Sequence, residues 1–149
     1  MNKKPELYRV QIPIYRDTLQ FFFGSREDAI KAVKADNVPA HIAESIAEGI
    51  REEESKGVYL YNNIERYHLI WMPEVPRIVD HYATLVHELQ HFVFRFLDLR
   101  GFEHTDASDE AYSYLLGYVY GEIEGVICDI KSKEKEEKAE TEEEPQPQQ

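Results

Sequence analysis

Two histidines and a glutamate stand at a spacing that could hold a metal ion and use it. They are His87, Glu88 and His91, arranged as His-Glu-x-x-His. No Gly or Pro interrupts the strongly apolar stretch between Arg77 and Arg100, which predicts a long buried helix. On a helix, residues four apart lie on one face, so both imidazoles can reach one cation. Glu88 is then placed to take a proton from a water molecule on that cation rather than to bind the ion itself.

The polar side chains of this predicted helix share one side of it, within an arc of about 100°. A solvent-facing stripe is usually rich in Lys and Glu, but this one is rich in His. Polar groups beside an apolar helix are costly to bury unless something satisfies them, and a bound Zn²⁺ would do so. The polar set is Thr84, His87, Glu88, His91, Arg95 and Asp98.

A catalytic zinc takes three protein ligands and keeps one position open for water. The best candidate for the third ligand is Glu110, at the start of a second apolar helix. The polar connection between the two predicted helices is short enough for antiparallel packing, which would turn Glu110 back toward His91. Loop residues remain alternatives, because sequence does not constrain how far a loop reaches. These alternatives are His104, Asp106 and Asp109.

Three glycines recur at four-residue spacing on the second predicted helix. Gly117, Gly121 and Gly125 share a face with Glu110 and Tyr114. Glycine weakens a helix by roughly 1 kcal/mol relative to alanine, so this stripe indicates a face where another backbone approaches closely. The alternative is a glycine-rich face that packs on some other element or forms a dimer contact, because periodicity does not identify the partner.

The two motifs together resemble the gluzincin metallopeptidases, the thermolysin-like branch of the zincins. In that family His-Glu-x-x-His is followed on a second helix by a segment similar to Asp109-Glu110-Ala111-Tyr112-Ser113. The resemblance extends over roughly residues 85–117, and the small size is similar to minimal gluzincin-like proteins of phages and mobile elements. It implies a zincin-like fold, zinc ligands at His87, His91 and Glu110, and Glu88 as the general base.

One position departs from the family pattern. Where the family has Asp four residues after the third ligand, this chain has Tyr114, which carries no negative charge at pH 7. The Tyr114 hydroxyl could still contact a ligand histidine or a substrate oxyanion. Arg95 is the other candidate for oxyanion stabilisation, unless it pairs with Asp98.

The residues therefore predict a zinc-dependent metallopeptidase that acts on a peptide or protein substrate. The alternative is a zincin-fold binding or regulatory protein that keeps the zinc but cleaves poorly or not at all. This alternative is favoured by Tyr114, by the small size and by the lack of a visible specificity pocket. A third possibility is a structural helical protein in which the motif is incidental.

Composition limits the class of protein. The chain has 149 residues and a net charge of −12, which argues against general binding to nucleic-acid phosphates. The single cysteine excludes an intramolecular disulfide and fits the cytoplasm, and neither a secretory signal nor a membrane-spanning stretch is visible. We expect one domain over residues 1–130 and an acidic tail over residues 131–149, either frayed helix or disordered.

The remaining patterns predict an α+β domain, with a small antiparallel sheet packed on helices and two long C-terminal helices. Alternating β-formers predict strands over residues 7–14, 19–23, 58–61 and 67–72. Periodic apolar residues predict helices from Ser25 and over residues 40–54. In the last strand His68 should face opposite to Tyr67 and Leu69, and Asp80 is a candidate N-cap for the helix that carries the histidines.

Overall fold

The structure, a computed structural model, describes residues 5–51 and 56–142 and confirms the α+β class. Within these residues a four-stranded sheet is combined with four helices, and the two C-terminal helices are the longest. Their bounds are β1 Tyr8–Ile12, β2 Asp17–Phe23, α1 Arg26–Ala35, α2 Ala40–Gly49, β3 Val58–Asn62, β4 Tyr67–Met72, α3 Val79–Asp98 and α4 Asp109–Glu142.

The sheet is mixed rather than wholly antiparallel as predicted. Its strand order is β1-β2-β4-β3, and the central pair β2 and β4 is parallel, with Leu19 opposite His68. The outer pairs are both antiparallel. The physical reason is the connection: α1, α2 and β3 lie between β2 and β4 in the chain, and such a long crossover lets the chain return in the same direction. The sheet ends on one side at β3.

Helices cover both faces of the sheet. The helices α1 and α2 pack on one face, and α3 and α4 pack on the other. The central strand β4 is therefore buried along its whole length. Its alternate side chains point to different layers: Tyr67, Leu69 and Trp71 face α1 and α2, whereas Ile70 and Met72 face α3 and α4. The predicted orientation of His68, opposite to Tyr67 and Leu69, is confirmed by its contacts with Phe92 and Phe96 of α3.

The helix that carries His87 and His91 is α3, and its inner face is apolar as the sequence predicts. Leu85, Leu89, Phe92, Val93 and Phe96 are all buried on that face. The helix begins at Val79, with Ile78 at the N-cap position and no side-chain cap. Asp80 is therefore not the N-cap but a first-turn residue, and its carboxylate pairs with Lys56 at 2.6 Å.

The last helix, α4, continues as a helix through Glu142, past the expected domain boundary at residue 130. Its inner side chains pack into the core shared with α3 and the sheet; they are Tyr112, Leu115, Val119, Ile123 and Ile127. Residues 143–149 of the predicted tail lie outside the described residues. The predicted helix over residues 40–54 ends at Gly49, and residues 52–54 of that prediction also lie outside the description.

No helix within residues 5–51 and 56–142 is both long enough and apolar enough to cross a membrane.

The glycine stripe on α4 does not mark a close approach of another backbone. A Cβ atom added at Gly117, Gly121 or Gly125 would have no neighbour within 4 Å. The reason is the rotation of α4 about its axis. Tyr112 and the other apolar residues on its side of α4 pack into the core. The glycines therefore lie on the opposite, exposed side of the helix.

We therefore expect alanine at these glycines to stabilise the protein. Each exposed helical Gly→Ala change gains up to about 1 kcal/mol from helix propensity, so the double variant Gly117→Ala/Gly121→Ala should unfold with a free energy raised by up to about 2 kcal/mol. Denaturant unfolding followed by circular dichroism measures this difference.

Gly101→Ala is the matched control. Gly101 also has open space around it but adopts a positive φ of 78°, which disfavours a side chain. Alanine there should lower the free energy of unfolding by about 1 kcal/mol. Destabilisation of the α4 double variant would contradict the exposed placement of its glycine face.

Candidate metal centre

His87 and His91 converge on one point at the surface of α3. Their Nε2 atoms lie 3.0 Å apart, with one ring donating a hydrogen bond to the other, and the ring planes are inclined at 86°. Two imidazoles that bind one Zn²⁺ tetrahedrally hold their nitrogens about 3.3 Å apart, given Zn–N bonds of about 2.0–2.1 Å. Both side chains are exposed. The pair can therefore accept an ion with little change in the separation of its nitrogens.

Glu88, between the two histidines, points inward to the sheet and is buried, with 8% of its surface exposed. One carboxylate oxygen, Oε2, accepts a 2.7 Å hydrogen bond from the backbone N–H of Tyr59 in β3. An ionised carboxylate can accept several hydrogen bonds, so this contact leaves acceptor capacity for another partner. The same contact ties α3 to the outer strand of the sheet.

A cleft of about 380 Å³ opens beside this carboxylate. Glu88, His91 and Arg95 of α3 line one side, and Val58 and Tyr59 of β3 line the other. A carboxylate, a histidine of the converging pair and a guanidinium therefore face one space. Any group bound in this cleft would meet a proton acceptor and a cation together.

The open edge of β3 runs along this cleft. The Tyr59 N–H is directed to Glu88 and not to β4, so it lies on the outer edge of the strand. In an antiparallel pair, the N–H and C=O of one residue point to the same edge of the strand, and successive residues point to alternate edges. The backbone groups of Tyr61, two residues after Tyr59, therefore also point to the outer edge. Within the described part of the chain no other strand pairs with this edge. An extended peptide could add to it.

Glu110 does not join the histidine pair. It is exposed, and among the described residues no group of three or more His, Cys, Asp or Glu side chains is arranged to hold a metal ion. Tyr112 is buried in the core, and Glu110, two residues earlier and so about 200° away around the helix, faces outward. The packing of α4 thus turns the predicted third ligand away from α3.

Among the alternative ligands, His104 is the one that lines a cavity together with a histidine of the pair. It shares a second cavity, of about 470 Å³, with His91 and Arg95. Its ring packs 5.0 Å from that of Phe94 and 4.7 Å from that of Tyr112, measured between centroids.

The Nε2 atom of His104 lies 3.4 Å from a carboxylate oxygen of Asp109. A carboxylate in this position orients an imidazole, as the outer partners of metal-bound histidines do. Asp109 is therefore placed to support His104 rather than to join the histidine pair itself. The third alternative, Asp106, is exposed in the connecting loop.

The two candidates for oxyanion stabilisation differ in position. Tyr114 is 75% exposed on the outer face of α4 and lines neither cavity. Arg95 lines both cavities, and in the part of the chain that is described it forms no ion pair with Asp98. The geometry therefore favours Arg95 over Tyr114 for any contact with a bound group.

Sequence reasoning did not identify His68 as a central residue. Its side chain is 1% exposed, and its Nδ1 lies 2.8 Å from the Tyr59 hydroxyl. The ring stacks on Tyr61, with centroids 4.7 Å apart. Burial lowers the pKa of His68 to about 4, so the imidazole is neutral at pH 7. The alternation of side chains along β4 predicted which face of the sheet His68 lies on. It did not predict that α3 covers that face and buries the imidazole.

Comparison with known proteins finds no matching family model, no similar curated protein and no similar solved structure. The case for a function therefore depends on the residues of this chain and on their arrangement.

Proposed function

We propose that this protein is a zinc-dependent metallopeptidase, with His87 and His91 as zinc ligands and Glu88 as the general base. The observation that carries the proposal is the convergence of the two Nε2 atoms, 3.0 Å apart, beside a carboxylate that faces a cleft. In this proposal the pair would provide two of the three protein ligands that a catalytic zinc requires, since no group of three or more such side chains is assembled among the described residues.

For the third ligand we favour His104 over Glu110. His104 shares a cavity with His91 and has Asp109 beside it, whereas Glu110 faces away from α3. The His104 side chain is exposed, and its ring would have to turn from its contacts with Phe94 and Tyr112 to join the histidine pair.

The chain's own residues would divide the reaction as follows. Bound zinc would supply Lewis-acid chemistry and lower the pKa of water toward about 7. Glu88 would take the proton from the attacking water and deliver it to the leaving amine. Arg95 would stabilise the negative charge that develops on the peptide oxygen. The open edge of β3 would hold the substrate extended along the cleft.

The surroundings fit a peptide substrate better than a nucleic acid. The net charge of −12 opposes phosphate backbones, whereas the outer edge of β3, which no described strand covers, could pair with an extended peptide beyond the Tyr59 N–H, whose hydrogen bond Glu88 already accepts. The single cysteine suits a reducing compartment, and we place the activity in the cytoplasm.

A second candidate is a zinc-retaining binding or regulatory protein with little or no peptidase activity. The hydrogen bond from the Tyr59 N–H to Glu88 favours it, because this carboxylate already has a structural partner. The outward position of Tyr114 favours it as well, since that residue stands where the family has an acidic one.

Metal analysis by mass spectrometry tests the shared part of both candidates. Wild-type protein loaded with zinc and dialysed should retain about one zinc per chain. His87→Ala and His91→Ala should lower the affinity by at least about 100-fold, since loss of even an outer partner costs about 10- to 100-fold. His104→Ala should do the same, and Glu110→Ala should retain the zinc.

His41→Ala is the control for these variants. His41 is an exposed histidine of α2, on the other side of the sheet, so its loss should not change the zinc content. Wild-type protein without bound zinc would contradict both candidates. If Glu110→Ala loses the zinc and His104→Ala keeps it, then Glu110 is the third ligand and His104 is not.

A further inference from the structure

A second recess lies at the C-terminal end of α3, away from the histidine pair. It has a volume of about 320 Å³ and lies between the β3–β4 turn, the start of β2 and the end of α3. Its polar lining residues are Asp17, Tyr61, Asn63, Arg66, His68 and Arg100. Two arginines and only one acidic residue thus meet in a chain whose net charge is −12.

Arg100 is held in place by an ion pair, a hydrogen bond and aromatic contacts with Phe96 and Tyr15. Its guanidinium pairs with Asp17 at 2.6 Å and donates to the backbone oxygen of Phe96 at 2.8 Å. It also lies 3.5 Å from the centre of the Phe96 ring. A guanidinium has five N–H donors, so these contacts leave donors that can face the recess. The negative charge of Asp17 balances the positive charge of Arg100. The net positive charge of the recess therefore comes from the second arginine in its lining.

That second arginine is Arg66. Its side chain is exposed and has no ion pair among the residues that the structure describes. The turn that carries it is fixed, because the Asn62 side chain accepts hydrogen bonds from the N–H groups of Ile64 and Glu65. Arg66 itself adopts a left-handed backbone conformation with φ of 50°. The Arg66 side chain is therefore attached to a well-defined turn, and its guanidinium lines the recess.

Neutral donors complete the lining. Burial raises the pKa of Tyr59 well above its usual range, so its hydroxyl keeps its proton and can donate to Nδ1 of His68. We assign this direction, which leaves the neutral imidazole protonated at Nε2. Tyr61 and Asn63 add a hydroxyl and an amide to the same wall.

From this arrangement we propose that the recess binds a small oxyanion, phosphate or carboxylate, between the guanidinium groups of Arg66 and Arg100. Charge-assisted hydrogen bonds from guanidinium groups are the strongest that proteins offer to such anions, and their planar fork matches the oxygens. The volume is several times that of one small anion, so the recess has room for the anion either free or as the terminal group of a larger molecule. The proposal does not depend on zinc or on peptidase activity.

The test is a titration of the full chain, treated with EDTA, followed by ¹H–¹⁵N NMR at constant ionic strength. Inorganic phosphate is the probe in one arm and acetate in the other, and chloride replaces each in the control titration. We expect saturable shifts in residues 61–68 and 99–100, together with a raised pKa of His68, because a nearby anion favours the imidazolium. If the shifts saturate with only one of the two probes, that probe identifies the recognised group as a phosphate or as a carboxylate.

Arg66→Gln should weaken this binding by about 10-fold or more, as expected for the loss of a charge-assisted hydrogen bond. Arg16→Gln is the matched control: Arg16 is also exposed, has φ of 51° and does not line the recess. The two substitutions change the net charge equally. The proposal is overturned if both variants bind equally weakly, or if chloride produces the same saturable shifts as the oxyanions.

Discussion

Glu88→Gln is expected to slow peptide hydrolysis by about 10²- to 10⁴-fold, the usual contribution of a general base, while zinc binding stays at the wild-type level. An amide cannot take a proton from water at neutral pH. It keeps the size of the glutamate, and its carbonyl oxygen can still accept the hydrogen bond from the Tyr59 N–H. The measurement is kcat/KM on quenched fluorescent peptides, beside the zinc content of the same samples.

Glu88→Ala separates the chemical role of this residue from its structural role. It removes the partner of the Tyr59 N–H at the junction of α3 and β3. This N–H is part-buried, so leaving it unpaired should lower the free energy of unfolding by about 1 kcal/mol, whereas Glu88→Gln should leave stability nearly unchanged. Equal peptide cleavage by wild type and Glu88→Gln would end the general-base assignment. Zinc-loaded wild type that cleaves no peptide would favour the binding or regulatory alternative.

Acidification is expected to destabilise the wild-type protein through His68. The pKa of this buried imidazole is about 4 in the folded chain, compared with about 6.5 for an exposed histidine. Below about pH 6.5 the unfolded chain takes up a proton that the folded chain does not. Stability is therefore full above that pH and falls until about pH 4, where the folded chain is protonated as well. The loss that His68 causes should be about 2 kcal/mol between pH 7 and pH 5.

His68→Phe should remove this component of the pH dependence. Phenylalanine can occupy the space beside Tyr61 and Phe92 but does not titrate. Its lost contact with the Tyr59 hydroxyl lowers stability equally at both pH values. His41→Gln, at an exposed position, should keep the wild-type dependence. Urea unfolding at pH 7 and pH 5 measures the difference, and equal pH dependence in wild type and His68→Phe would contradict the buried neutral state.

The local features of α3 follow from the sequence. The spacing of His87 and His91 and the inward face of Leu85, Leu89 and Phe92 depend on helical periodicity alone. That periodicity is a property of neighbouring residues. A side-chain pair four residues apart is therefore fixed as soon as the helix forms. The predicted polar arc is only partly observed, because Glu88 is buried against β3 whereas the histidines are exposed.

The path of the sheet did not follow from the sequence. Each strand was located near its observed position, but the parallel pairing of β2 with β4 depends on how α1 and α2 cross over the sheet. A strand pattern specifies which side chains face inward and not which strand lies beside it. The position of β3 at the edge, next to Glu88, was likewise decided only by the assembled sheet.

The sequence by itself determined an α+β chain with two converging histidines and an intervening glutamate on one helix whose inner face is apolar. Only the tertiary structure decided what surrounds them. Whether Glu110 faces His91 depends on the rotation of α4 about its axis, and the apolar contacts of Tyr112, Leu115 and Val119 fix that rotation with Glu110 outward. Burying the apolar side chains of α4 sets this rotation. That burial contributes more free energy than one carboxylate, Glu110, could contribute by facing the histidine pair.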